Sequence, residues 1–250
     1  MSWIDDAVNN KKKTRKRDPD WWRHHKIPVL QIGNERVLDE TIDVSEFEFV
    51  RVFDSDVNTL TLLKMKGELG LGTGHRRSTF ENCRVIGAEL TRLDLGNADF
   101  RNCEFVDCDI HELGSFEANV SNCKFSGRIR KGIVFLRRPS PELEKFEAVF
   151  EANDFSDCVI DESLFRGGID LGRQRFKSDG SAVIQDSTVF LNEVRKKLGK
   201  KVPSAPLKRF LFGVEFYASN FNQNSFFVPL RDFQKLGSEV ELIQDLISPL

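Results

Sequence analysis

Residues 80–125 fall into blocks of five: FENCR VIGAE LTRLD LGNAD FRNCE FVDCD IHELG SFEAN VSNCK F. Each block opens on a large apolar residue: Phe80, Val85, Leu90, Leu95, Phe100, Phe105, Ile110, Val120 and Phe125, with Ser115 the one exception. Two positions before each stands a small or apolar residue: Cys83, Ala88, Leu93, Ala98, Cys103, Cys108, Leu113, Ala118 and Cys123. A period of five fits neither the 3.6 of a helix nor the 2 of a flat strand. A short fixed repeat of this kind predicts a solenoid, in which each repeat is one supersecondary unit stacked on its neighbours.

The stretch resembles the pentapeptide-repeat family, whose motif is A(D/N)LXX. Ala98-Asp99-Phe100, Ala118-Asn119-Val120 and Asn153-Asp154-Phe155 carry the resemblance, which covers 78–126 and resumes over 148–167 through Phe150, Phe155, Ile160 and Phe165. It implies an all-β solenoid, a right-handed quadrilateral β-helix with four pentads, or 20 residues, per coil. The sequence supports that coil length independently. At a 20-residue offset, Glu81 lies over Arg101, Arg84 over Glu104, Glu104 over Lys124 and Arg92 over Glu112, and only Glu89 over Asp109 is a like-charge pair. Opposite charges on adjacent strands help modestly. Asn82, Asn102 and Asn122 recur at the same interval and predict an amide ladder.

The same lattice absorbs the unusual composition, 22 Phe against one Tyr, and five Cys. The core positions are Phe80, Cys83, Phe100, Cys103, Phe105, Cys108, Cys123, Phe125, Phe150 and Phe155. Dry interior slots take Phe without a hydroxyl, and a free Cys in the small slot behaves as a compact hydrophobe. Cys83, Cys103 and Cys123 bring their backbones near disulfide range but point in parallel. No CxxC is present and the four His are scattered, so neither zinc nor another cofactor is expected. His111 falls on the outward side of the lattice, and no Ser/His/Asp or Cys/His set accompanies it. An enzyme is not expected.

Outside the repeats the charge is segregated. Residues 1–34 read as a basic, flexible arm: Lys11, Lys12, Lys13, Arg15, Lys16 and Arg17 place six positive charges in seven residues, followed by Trp21 and Trp22. Such a run binds phosphates, and a tryptophan pair beside it suits stacking on bases. Residues 31–60 reverse sign, with eight acids against two bases, and 35–77 read as an N-terminal cap. The cap ends in glycines at 67, 70, 72 and 74, which match neither GxGxxG nor a Walker loop. Residues 78–170 are the β-helix, interrupted by an inserted loop at 126–147 that carries Arg128, Arg130, Lys131, Arg137 and Arg138. Residues 171–250 read as a helical insertion, an irregular last coil or a capping strand pair over the Phe-rich 209–228 segment, and a C-terminal helix from Ser238 to Ile247. Within the insertion, Asp186 is a natural N-cap and Gly199 a natural stop.

The net charge of −2 excludes a protein that is basic overall, no apolar run is long enough for a membrane span, and the N-terminus has no apolar signal core. A cytoplasmic location with reduced thiols is therefore expected. The leading expectation is a non-catalytic scaffold that engages a protein or nucleoprotein partner through its basic arm and inserted loops. The alternatives are nucleic-acid binding by the arm and loop, or, as the resemblance implies, DNA mimicry directed at a type II topoisomerase. Repeats 78–126 hold nine acids against four bases, which invites the mimic reading. The breaks at 20-residue steps, Asp94 to Gly114 and Glu104 to Lys124, oppose it. The resemblance also marks the C-terminal region as a candidate homodimer surface.

Overall fold

The computed structural model of the chain describes residues 28–115, 118–135, 149–161, 164–166, 169–177, 181–221, 224–229, 236–243, 246 and 248–249. From Val29 to Phe176 they form a parallel β-solenoid. On one face the strands Arg36–Leu38, Asp56–Asn58, Ser78–Glu81, Ala98–Arg101, Asn119–Ser121 and Phe150–Glu151 stack in that order, one per coil, giving six coils. The remaining sides stack from Val29–Gly33 through Phe49–Phe53, Lys66–Leu71, Glu89–Asp94, Glu104–Ser115 and Lys124–Phe135 to Asp154–Ile160 and Arg175–Phe176.

The register follows the pentads. Phe100 pairs with Phe80 and Val120, and Phe105 with Val85 and Phe125. Strand spacing of about 4.8 Å then sets the ring spacing. Phe80 and Phe100 stack with centroids 4.7 Å apart, Phe105 and Phe125 at 4.8 Å, and Phe125 and Phe155 at 4.7 Å, all within 9° of parallel. Phe176 extends the column at 5.4 Å from Phe155. A Tyr in this column would bring a hydroxyl into an interior that offers it no partner, which accounts for the Phe excess.

Corners are made by residues in the left-handed region. Asn82, Asn102 and Asn122 have φ of 56°, 53° and 53°. Asn tolerates this conformation better than other side chains with a Cβ. One step of the expected amide ladder is present, Asn102 donating to Asn82 at 3.5 Å, and it continues to Asn58, to which Asn82 donates at 3.3 Å.

Four sequence expectations change. First, residues 35–77 are coils rather than a cap. Ile32, Val37, Ile42, Phe47, Val52, Val57 and Leu62 keep a period of five, three residues out of phase with the Phe80 series. The offset arises where Val57 pairs with Phe80, a step of 23 residues instead of the 20 between Phe80 and Phe100. The extra residues loop out between Leu71 and Ser78. Arg51 fastens the loop by donating to the Thr73 hydroxyl and carbonyl, both at 2.7 Å, and the Arg76 amide donates to Asp54 at 2.6 Å. The small slots of these first coils also hold Val50, Leu60 and Met65, all buried, so the Ala/Cys signature is missing.

Second, the strand Lys124–Phe135 runs through the expected loop at 126–147. Ile129 pairs with Ile110, a step of 19, so one residue is lost at the corner. Gly127 makes this fit. Its φ is +98°, and a Cβ there would lie 2.4 Å from the Cys108 carbonyl oxygen. Third, most of the Phe-rich segment is a helix, Ala205–Phe221, rather than a last coil, and only its end, Phe226–Pro229, is a capping strand. Fourth, the C-terminal segment opens as a 3-10 turn, Gly237–Glu239, before the helix Val240–Ile243; residues 244, 245 and 247 of the expected helix lie outside the described residues.

The last coil is closed by a small antiparallel sheet in which Ser181–Ile184 pairs with both Phe226–Pro229 and Ser248–Pro249. Phe227 packs against Phe176 at 4.9 Å and Phe165 at 5.9 Å, and the Ser225 hydroxyl donates to the Ile169 carbonyl at 3.0 Å. The antiparallel strands interrupt the parallel stack and cover its apolar end.

Candidate interaction surface

The five cysteines are free and buried. Each slot turns its thiol onto the backbone: Cys103 donates to the Phe80 and Arg101 carbonyls, both at 3.4 Å, and Cys108 to those of Val85 and Val106 at the same distance. Burial pushes the Cys108 thiol up to about 11 and the Cys158 thiol up to about 12. A thiolate nucleophile is disfavoured at such positions. Among the described residues no group of three or more His, Cys, Asp or Glu is placed to hold a metal. No helix among them is long and apolar enough to cross a membrane. The small slot next to Cys123 holds a residue whose role the repeat pattern did not signal. Asn153 accepts from the Cys123 amide and donates to the Val120 carbonyl, both at 3.0 Å, bridging two coils at a point where the step between them is 30 residues instead of 20.

The outward charges form ladders. One row reads Arg84, Glu104, Lys124, Asp154, Arg175, alternating in sign at every step. Arg84 bonds Glu104 at 2.9 Å, and Arg175 lies 3.6 Å from Asp154. A second row, Glu68, Arg92, Glu112, Lys131, alternates in the same way. Other acids also find partners: Asp99 with Arg77 at 2.6 Å, Asp56 with Arg76 at 3.2 Å, Glu89 with Lys66 at 3.5 Å and Asp157 with Lys124 at 2.8 Å. Hydrogen bonds from the Ser45 hydroxyl and amide, with help from Lys64, hold the Asp43 carboxyl at about 2. Thr79 and then Arg76 bring the Asp56 carboxyl below its ordinary value. At Asp154 burial pushes the carboxyl up, but the Ser156 hydroxyl and amide, Arg175 and Lys124 outweigh it and the net shift is downward.

The basic candidates divide into two groups. Arg128 and Arg130 lie on the solenoid wall, each committed to an acid. Both Nε and Nη2 of Arg128 donate to Asp161, at 2.9 and 2.6 Å, and the Arg130 guanidinium grips both oxygens of Asp109, at 3.1 and 2.6 Å. Lys131 is exposed at the end of its row. Arg137, Arg138, Lys11, Lys12, Lys13, Arg15, Lys16, Arg17, Trp21 and Trp22 lie outside the described residues.

The C-terminal region holds basic residues that the sequence reading left aside. Helix α1, Ser187–Leu198, is capped by Asp186, which accepts from the Thr188 and Val189 amides at 2.9 Å each, and it stops at Gly199. Helix α2, Ala205–Phe221, packs back on it through Phe190, Leu191, Val194, Leu198, Leu207 and Val214. Between the helix axes, Arg195 bonds Glu215 at 2.9 Å. The Glu239 carboxylate accepts from the Ser204 amide at 3.0 Å and from the Ser204 hydroxyl, fixing the start of α2.

A stack of pentads with apolar centres, small Cys and Ala slots and left-handed corners defines a parallel β-solenoid of the pentapeptide type. The model for pentapeptide repeats matches residues 76–112 in eight copies. The matched span is the middle of a longer solenoid, whose earlier coils depart from the motif at the small slot. Neither a curated protein nor a solved structure matches the chain.

Proposed function

We propose that the chain is a non-catalytic scaffold, a rigid pentapeptide-repeat rod that engages a protein or nucleoprotein partner through its basic N-terminal arm and inserted segments. One observation carries this reading. Most bases of the wall are paired with acids across its rows, whereas the basic run Lys11–Arg17 is a block of one sign that no neighbouring acid in sequence offsets before Asp18. The segment 136–148 adds the adjacent pair Arg137 and Arg138, although over its whole length three bases face three acids. The location expected for such a scaffold, with its unoxidised thiols, is the cytoplasm.

The self-pairing also weighs against DNA mimicry. Six coils at about 4.8 Å make a rod roughly 29 Å long, about eight base pairs of duplex. Its acids are interleaved with bases rather than set in a continuous stripe. The discriminating experiment compares the full chain with a variant lacking residues 1–26. The proposal expects the partner recovered from the native host to be lost with the arm. Recovery of the same partner by both forms would contradict it. Inhibition of gyrase supercoiling that persists without the arm would favour mimicry instead.

A further inference from the structure

We propose that the hairpin of α1 and α2 is a binding site for single-stranded nucleic acid, separate from the N-terminal arm. Residues 195–209 hold seven bases, Arg195, Lys196, Lys197, Lys200, Lys201, Lys208 and Arg209, and no acid. Three of these have a structural explanation. Arg195, Lys196 and Lys197 stand in the last turn of α1, where cations offset the helix dipole, and the first two also pair with Glu215 and Glu193. Lys200, Lys201, Lys208 and Arg209 are exposed and have no ion-pair partner among the described residues. This contrasts with the solenoid wall, where most bases are paired.

Exposed apolar groups lie on the same surface. Lys208 and Arg209 precede Phe212 by four and three residues and Phe216 follows it by four, so they share the outer face of α2. Phe212 is 60% exposed and Phe216 44%, their rings 6.1 Å apart and 26° from parallel. The buried face of the helix is carried by Leu207 and Val214, so the rings are not part of the core. Unpaired cations followed by two exposed rings suit a strand that offers phosphates and free base faces together: bases stack on the rings while the phosphates meet the lysines and arginine. A duplex hides its base faces from such rings. An anionic lipid surface fits less well. The outer face of α2 also carries the polar Ser219 and Asn220, and Val202, 90% exposed in the turn, is separated from the rings in sequence by Lys208 and Arg209.

The test is fluorescence anisotropy with a labelled 12-nucleotide single strand and the full chain. Four phosphate contacts contribute a log–log salt slope of about −3, equivalent to about a 50-fold loss of affinity between 50 and 200 mM salt. Replacing Lys200, Lys201, Lys208 and Arg209 together by Ala is expected to weaken binding at least tenfold and remove about three units of slope. The double variant Phe212→Ala/Phe216→Ala is expected to weaken binding about tenfold per ring with the slope unchanged. All six side chains are on the surface, and retained melting behaviour checks the fold. Parental affinity in the quadruple variant overturns the proposal, because the N-terminal arm then accounts for all binding. It is equally overturned if phosphatidylserine vesicles bind through these residues and the oligonucleotide does not.

Discussion

Ser115 is the one small polar residue at a pentad centre between Phe80 and Phe125, and its cost can be measured. It is fully buried, pairs across the coil with Val134, and its hydroxyl has no hydrogen-bond partner among the described residues. A buried polar group left unsatisfied costs roughly 1–3 kcal/mol. Ser115→Ala removes the hydroxyl while adding no volume, so overpacking does not enter. The expected gain is about 1–2 kcal/mol, which for a chain of this size raises Tm by roughly 2–8 °C. Urea denaturation followed by circular dichroism reads the same quantity as a higher midpoint at unchanged m-value. A fall in midpoint of similar size would refute the reasoning. It would mean that the hydroxyl serves a polar contact, and that the break in the repeat was selected rather than tolerated.

Other substitutions probe the stack and its charges. Phe125→Ala takes the central ring from the column shared with Phe105 and Phe155 and should cost about 3–5 kcal/mol in a denaturation midpoint. Glu104→Lys sets three cations in a row with Arg84 and Lys124. These side chains are about half exposed, so the loss should be near 1 kcal/mol and should shrink in 0.5 M salt. Gly127→Ala forces a Cβ against the Cys108 backbone at positive φ and should destabilise by about 2 kcal/mol or more in the same assay. Asp43, Asp56 and Asp154 have carboxyls held below their ordinary values in the folded state. Their contribution is therefore complete above the unfolded value near 4 and is lost as pH falls through the folded values. Melting temperature should drop between about pH 5 and pH 2, and a flat profile there would contradict the assignment.

The repeats from Phe80 to Phe125 were legible because both inward positions announce themselves, the large centre and the small slot. The coils before them were not, although Ile32 to Leu62 keep the same period. Val50, Leu60 and Met65 fill the small slot with bulk, and three extra residues before Ser78 shift the phase. The helix Ala205–Phe221 was obscured by an accidental echo of the repeat in Leu211, Phe216, Phe221 and Phe226. The spacing of the buried Leu207 and Val214, which is helical, was the competing signal. The basic hairpin was visible as composition, but its unpaired state depends on which acids the fold brings near. Arg128 and Arg130 show the reverse case. They looked free on a loop, and the fold placed Arg130 beside Asp109 of the coil before and Arg128 beside Asp161 of the coil after.

The central claim is that one continuous solenoid begins at Val29 and runs to Phe176 across coils of unequal length. Amide hydrogen exchange tests it most directly, since parallel strands with neighbours on both sides protect their amides and loose caps do not. The account predicts that residues 50–52 and 56–63 exchange as slowly as 98–110. Exchange of those two stretches within seconds, beside a protected 98–110, would contradict it and restore an irregular cap ahead of the repeats.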